Sequence, residues 1–200
     1  MKLIYSGASP FVRKVNVVMH ETGQVDDIEL IEVMTTPVAT PSEVRAANPI
    51  GKIPALIRSD GPAIYDSRVI CRYLDDRAGA GLYPGESLWE ILTLEATADG
   101  LMDAAVLMVY EGRVRPDHLI YSEWVEAQWQ KVCGALDALE QRWISHLNGP
   151  LNMGQIAVGC ALGYLDFRHG ARNWRAGRGA LDDWYAVFSD RASMTASAPA

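Results

Sequence analysis

Over the first 78 residues, short apolar runs alternate with segments of helical period; after that only the helical period recurs. Lys2-Leu3-Ile4-Tyr5-Ser6 reads as a strand. Phe11 to Glu21 reads as a helix with Val12, Val15, Val18 and Met19 on one face. Ile28 to Val33 reads as the second strand, reached by a right-handed crossover. Pro37 and Pro41 exclude regular structure before a short helix over Ser42 to Ala47. Leu56-Ile57-Arg58 and Ala63-Ile64-Tyr65, joined through Asp60-Gly61, predict an antiparallel hairpin. A helix carrying Val69, Ile70, Tyr73 and Leu74 then begins at Asp66-Ser67.

Ala78 to Glu86, rich in Gly and Ala and holding Pro84, is a break in composition and the predicted boundary. Beyond it Leu88, Ile91, Leu92, Leu101, Met102, Ala105 and Met108 lie at helical spacing. Ile120 to Leu147 predicts one further long helix. From Asn152 to Phe167 the pattern is almost uniformly apolar, so that helix should lie at the centre of its domain. Asn152 with Gln155 forms a capping box and Leu151 with Ile156 a hydrophobic staple. Gly159 and Gly163, one turn apart, leave room for a close neighbour. Leu181 to Phe188 predicts a last short helix, and the Ala-, Ser-, Thr- and Pro-rich stretch from Ser193 to Ala200 a mobile tail.

Composition narrows the picture only in part. Two hundred residues accommodate two small domains, and 49% hydrophobic with 22% charged residues is ordinary for a soluble globular protein. A net charge of −7 argues against general nucleic-acid binding. The arginines at 168, 172, 175 and 178 read as a loop packed by their stems. No window is apolar enough to span a membrane, and the N-terminal apolar run is too short for a secretory signal. Cys71, Cys133 and Cys160 have neither metal nor disulfide spacing, and the four histidines form no ligand pair. A reducing cytoplasm and no metal are the expectations.

The chemistry concentrates in three places. In Asn48-Pro49-Ile50-Gly51-Lys52-Ile53-Pro54, a proline at the entry to a strand is a candidate for a cis bond that turns the Ile53 backbone outward, free to pair with an extended peptide. Ser9-Pro10 places a hydroxyl N-cap and a proline at the start of the first helix. Asp66-Ser67 puts a carboxylate and a hydroxyl at the start of another, which can hold an amino acid head group from both ends or serve only as a cap.

Together these stretches resemble the cytosolic glutathione S-transferases, and Ser9-Pro10-Phe11-Val12-Arg13 resembles the Ser-Pro-x-x-Arg pattern of serine-type bacterial members. The resemblance covers nearly the whole chain. It implies a thioredoxin-like α/β domain (βαβ-α-ββα, a mixed four-stranded sheet) over residues 1–78, a linker over 79–86 and an all-α domain over 87–200. It implies glutathione as cosubstrate, held by Phe11, Lys52, Ile53, Pro54, Asp66 and Ser67. Ser9 would donate a hydrogen bond to the glutathione thiolate, which then attacks a small hydrophobic electrophile. Ser6 is the rival donor, and Arg13 would tie the first helix to the second domain.

Asp99 and Asp103, four apart on one helix face, are either solvated or reach glutathione across a homodimer. Met102, Val106 and Tyr110 either line the second-substrate pocket or pack the core. Two departures from the family pattern stand out: Asp66 replaces the commoner Glu, and Asn152 and Gln155 replace the usual Ser or Thr and Asp. A non-catalytic binding or protein-interaction role on the same fold is the alternative. A glutathione-dependent reductase is disfavoured, because no cysteine lies between residues 6 and 14.

Overall fold

The computed structural model describes residues 1–199. Three strands, β1 (Lys2–Tyr5), β2 (Glu29–Glu32) and β3 (Ala55–Ile57), form a sheet in the order β2-β1-β3. β1 runs parallel to β2, with Leu3 opposite Leu30, and antiparallel to β3, with Leu3 opposite Leu56. The parallel pair requires a crossover, which α1 (Pro10–Glu21) supplies. α2 (Ser42–Ala47) follows β2, and α3 (Ser67–Ala78) packs beside α1. Val12, Val15 and Val18 of α1 and Ile70 and Leu74 of α3 are buried, so both helices turn their apolar stripes inward.

The fourth strand of the expected sheet is reduced to a single bridge. Ile64 exchanges two backbone hydrogen bonds with Leu56, each 2.9 Å. Pro62 has no N–H to offer, and the chain enters α3 directly after Asp66, so no second ladder pair forms.

The rest is helical: α4 (Leu88–Val114), α5 (Ser122–Ala138), α6 (Ile144–Leu147), α7 (Met153–His169), α8 (Gly179–Ser189) and α9 (Ala192–Ala196). α7 is buried continuously from Met153 to Leu165 and packs along α4 and α1. Its capping box is complete: Asn152 Oδ1 accepts the Gln155 N–H at 3.3 Å, and Gln155 Oε1 accepts the Asn152 N–H at 2.9 Å. The room at the two α7 glycines is taken by side chains. A Cβ at position 159 would lie 2.5 Å from the Phe188 ring, and one at 163 would lie 2.2 Å from Arg13 Nη1.

Two expectations for this half need correction. Residues 120–147 are not one regular helix: a π-helical turn over Leu139–Trp143 separates α5 from α6. The wider turn keeps Leu139 in the core and aims Glu140 at α8, where its oxygens accept the Ala180 and Leu181 N–H groups at 3.2 and 2.8 Å. The tail is not loose either. Residues 192–196 form α9, Met194 is 1% exposed, and its carbonyl accepts from Arg13 Nη2 at 3.0 Å. Glu21 of α1 binds both Arg191 and the Ser193 hydroxyl, which secures the same stretch. Ala200, the end of the predicted tail, lies outside the described residues. Three arginines of the basic run are neutralised locally: Arg172 pairs with Glu126, Arg175 with Asp166 and Asp182, and Arg178 with Asp137.

Candidate functional site

Ser9 stands as the N-cap of α1 in extended backbone. Its Oγ accepts the Val12 N–H at a long 3.4 Å, and as acceptor it keeps its own O–H free to donate elsewhere. The Ser9 N–H donates to the Ser6 carbonyl at 3.0 Å, so the rival Ser6 helps to hold the turn that presents Ser9. Beside Ser9 is a narrow hollow lined by Gly7, Ala8, Pro10 and Arg13, and across the domain boundary by Cys160, Tyr164 and Pro199.

Three of those residues set its chemistry. Arg13 is 8% exposed, and its Nε has no hydrogen-bond partner among the described residues. Burial pushes the Cys160 thiol up to about 11, so it stays protonated at neutral pH. Burial also lifts the Tyr164 hydroxyl, to about 12, against the opposing pull of Arg168. Sequence reasoning missed Cys160 and Tyr164 as site residues because α7 reads as pure core. Their four-residue spacing, continued by Arg168, was the available signal.

The other expected residues gather along β3 and the start of α3. The Ile53–Pro54 bond is cis, as is Tyr65–Asp66. Ile53 makes no backbone hydrogen bond among the described residues, so its N–H and C=O are available to a ligand backbone. Asp66 caps α3: Oδ1 accepts the Arg68 N–H at 3.0 Å and Oδ2 accepts Arg68 Nη2 at 2.9 Å. Partial burial works to raise the Asp66 carboxyl, yet Arg68 outweighs it and holds the group below its ordinary value. Two of its lone-pair directions remain open for a further cation. Ser67 is buried, and its hydroxyl has no partner among the described residues. Lys52 is exposed, near enough to Asp103 for its charge to oppose the burial that raises that carboxyl. Phe11 is half-buried and packs against the hydrophobic core.

The structure separates the candidates on α4. Asp99 is not solvated: it is 7% exposed and accepts a 2.7 Å hydrogen bond from Lys14 Nζ. Met102 is fully buried in the core and faces no cleft. Val106 and Tyr110 are half-buried, and Asp103 is exposed beside Asp66 and Lys52.

Lys14, which the sequence analysis did not single out, is 0% exposed. It also donates to Glu95 Oε1 at 2.9 Å, while the Tyr83 hydroxyl donates to Glu95 Oε2 at 3.1 Å. Asp99 Oδ2 lies 3.6 Å from Arg68 Nε. A chain of alternating charges therefore runs from Glu95 through Lys14, Asp99 and Arg68 to Asp66, linking the helical domain to the edge of the site.

Comparison with known proteins identifies the family. The glutathione S-transferase N-terminal domain model matches residues 8–77 and the C-terminal domain model residues 122–186. An uncharacterized GST-like protein of Escherichia coli (strain K12), YibF, is 33% identical, with 100% of this chain and 98% of that protein covered. A glutathione transferase family member from Pseudomonas fluorescens Pf-5, crystallised with bound glutathione, is 44% identical with a TM-score of 0.97, covering 100% of this chain and 98% of its own. A second crystal structure from that organism, also of a glutathione transferase family member, holds S-(propanoic acid)-glutathione. It is 43% identical with a TM-score of 0.92 over 100% of both chains. With both domain models matched in order, and a 33%-identical relative aligned over the whole of this chain, the chain belongs to the glutathione S-transferase family.

Proposed function

We propose that the protein is a glutathione transferase in which Ser9 activates the thiol of bound glutathione for attack on an electrophilic carbon. The observation that carries this reading is the position of Ser9: a hydroxyl at the N-terminus of α1, its O–H unspent, opening on a hollow lined in part by Arg13. A thiolate placed there gains a donor, the positive end of a helix dipole and a nearby cation, each of which lowers a thiol pKa.

The glutathione backbone pairs with Ile53 beside Pro54. Its γ-glutamyl carboxylate takes the Ser67 hydroxyl and the N–H groups opening α3, and its ammonium takes Asp66. Lys52 reaches the terminal carboxylate, and Asp103 lies alongside. The glutathione bound in the Pseudomonas relative supports this ligand, and the carbon substituent on sulfur in the second complex is the form that a product of transfer takes. The step forms an S–C bond and the thiol proton leaves to solvent; the bond that breaks at carbon gives its electron pair to a departing anion in a substitution, or to the neighbouring atom, which takes a proton from water, in an addition.

Reductase chemistry has no nucleophile in this hollow, because its one cysteine, Cys160, is held protonated. Exposed Val69 on α3 and Trp89 on α4, the latter 76% exposed, support a homodimer; sedimentation should give twice the 22.0 kDa chain mass, and a monomer would refute it.

The test of the main reading is a titration of the bound thiol through its ultraviolet thiolate absorbance. Bound glutathione should ionise about two pH units below the ~8.5 of a free thiol. A bound thiol that titrates as the free one does would remove Ser9 from the mechanism.

A further inference from the structure

Arg13 carries a buried charge that the fold leaves unanswered. Its neighbour Lys14, also buried, is met by two carboxylates, Glu95 at 2.9 Å and Asp99 at 2.7 Å. Arg13 is 8% exposed and pairs with no carboxylate among the described residues. Its Nη2 donates to a neutral group, the Met194 carbonyl at 3.0 Å, and its buried Nε has no partner. Nη1 lies against Gly163, where any side chain larger than hydrogen would strike it. A guanidinium does not escape burial by losing its proton, and a cation withdrawn from water is costly unless an anion is supplied.

The hollow beside Ser9 has the make-up to hold that anion. Arg13 is one of its walls, and no Asp, Glu, Asn or Gln is among the others. Its remaining polar side chains, Ser9, Cys160 and Tyr164, all have hydrogens to give, and burial keeps the last two protonated. The Gly7 and Ala8 N–H groups on the same wall make no backbone hydrogen bond among the described residues. α1 opens here with the positive end of its dipole. The volume is about 10 Å³, which admits one atom-sized occupant and nothing with a chain behind it. A lone water would satisfy the Nε–H and leave the charge; a single-atom anion answers both.

We propose that in the glutathione-free protein this hollow binds a halide ion, chloride above all, which the glutathione sulfur displaces. This rests on the reading that places the sulfur beside Ser9. Glutathione enters sulfur first, with its carbon chain left at the mouth, so ion and sulfur exclude each other. Chloride is then a competitive regulator of glutathione binding, and polyatomic anions such as sulfate or gluconate are too large to replace it. The same arrangement serves both occupants: a cation, a helix end and fixed donors, in place before either arrives.

Two titrations at constant ionic strength, with sodium gluconate exchanged for sodium chloride, test it. Without glutathione the melting temperature should climb along a saturating curve as chloride replaces gluconate, because only the folded state offers the site. In calorimetry the apparent Kd of glutathione should rise about tenfold when chloride stands at ten times its own Kd. Arg13→Gln should lose both effects. That variant also gives up the Met194 contact, so two further readouts do not depend on its folding. Tyr164→Phe, which keeps the cation and removes one donor, should bind chloride about tenfold more weakly. A wild-type crystal grown in sodium bromide should show an anomalous peak in the hollow.

A melting temperature that is the same in the two salts, a chloride effect that Arg13→Gln retains, an undiminished affinity in Tyr164→Phe, or a hollow that holds only water in bromide would each overturn the proposal. So would chloride that stabilises the protein yet leaves the glutathione Kd unchanged. Competition by chloride, with a bound thiol that titrates as the free one does, would uphold the halide site and remove Ser9 from the chemistry. A bound thiol that ionises early in a protein indifferent to chloride would do the reverse.

Discussion

Replacing Lys14 with methionine should destabilise the protein by about 3–5 kcal/mol, the usual cost of stranding buried charge by removing one partner. On a chain of this length that is roughly 6–20 °C in melting temperature. The loss does not measure how favourable the ion cluster is. It measures what Glu95 and Asp99 become without their cation: two carboxylates one helical turn apart, 1% and 7% exposed, facing a thioether. In the native protein burial alone would push the Lys14 ammonium down, but Asp99 and then Glu95 outweigh it and hold it above the ordinary lysine value. Burial already raises the Glu95 carboxyl against the pull of Lys14.

Removing that pull drives the Glu95 carboxyl further up in the folded state, above its unfolded value near ~4. A group that binds its proton more tightly when folded makes stability rise as pH falls. The variant should therefore recover part of its loss between about pH 7 and pH 5, by more than the wild type gains over that interval. Lys14→Met/Glu95→Gln, which removes one of the stranded charges, should melt above the single variant at pH 7. An unshifted melting temperature for Lys14→Met, or a variant that loses stability on acidification faster than wild type, would show that this triad does not hold the domains together.

That cluster also marks where reading the sequence stops. The local signals were legible because each is complete within a few residues. Ser9-Pro10 opens a helix, Pro54 precedes a strand, Asp66 caps α3, and Asn152 with Gln155 boxes α7, all as the spacing requires. Lys14 was not legible. It follows Arg13 in a stretch that reads as the polar face of α1, and its partners are 81 and 85 residues away. Glu95 drew no attention and Asp99 read as solvated, because helical period alone cannot say which helix covers a face.

The C-terminal stretch failed for a related reason. Small polar residues predict looseness, but Met194 alone supplies a buried side chain and the carbonyl for Arg13. The fourth strand failed because its β-favouring residues were right and its backbone donors were too few. Of the site, the half that holds glutathione is written in local turns and caps. The half that faces the electrophile is written on α4 and α7 with residues that serve equally well as core, so only the packed helices separate Met102, which is buried, from Tyr110, which is not.

Ser9→Ala should move the bound glutathione thiol from about 6.5 back toward the ~8.5 of a free thiol, roughly 2.7 kcal/mol at two pH units. The cost in rate should then change sign with pH, and that sign separates thiol activation from a structural role. At pH 6 the ionised fraction falls about 75-fold in the variant, by the ratio of the two titration curves. A thiolate of higher pKa is also the better nucleophile, and with a Brønsted slope of about 0.4–0.5 two units return close to eightfold. The net loss is about tenfold at pH 6 and about threefold at pH 7. Above about pH 8 the ionised fractions differ by about fourfold or less, so the variant, with its more basic sulfur, should be the faster enzyme.

The measurement is kcat/KM for the electrophile at saturating glutathione across that range, where chemistry rather than product release sets the rate. The KM for glutathione should stay within about twofold, because Ile53, Asp66 and Ser67 are untouched and the Val12 N–H that Ser9 caps is only weakly held at 3.4 Å. A loss of the same size at every pH would assign Ser9 to building the turn and pass the role of donor to another group. A loss that appears in the glutathione KM and spares kcat would make it a binding residue.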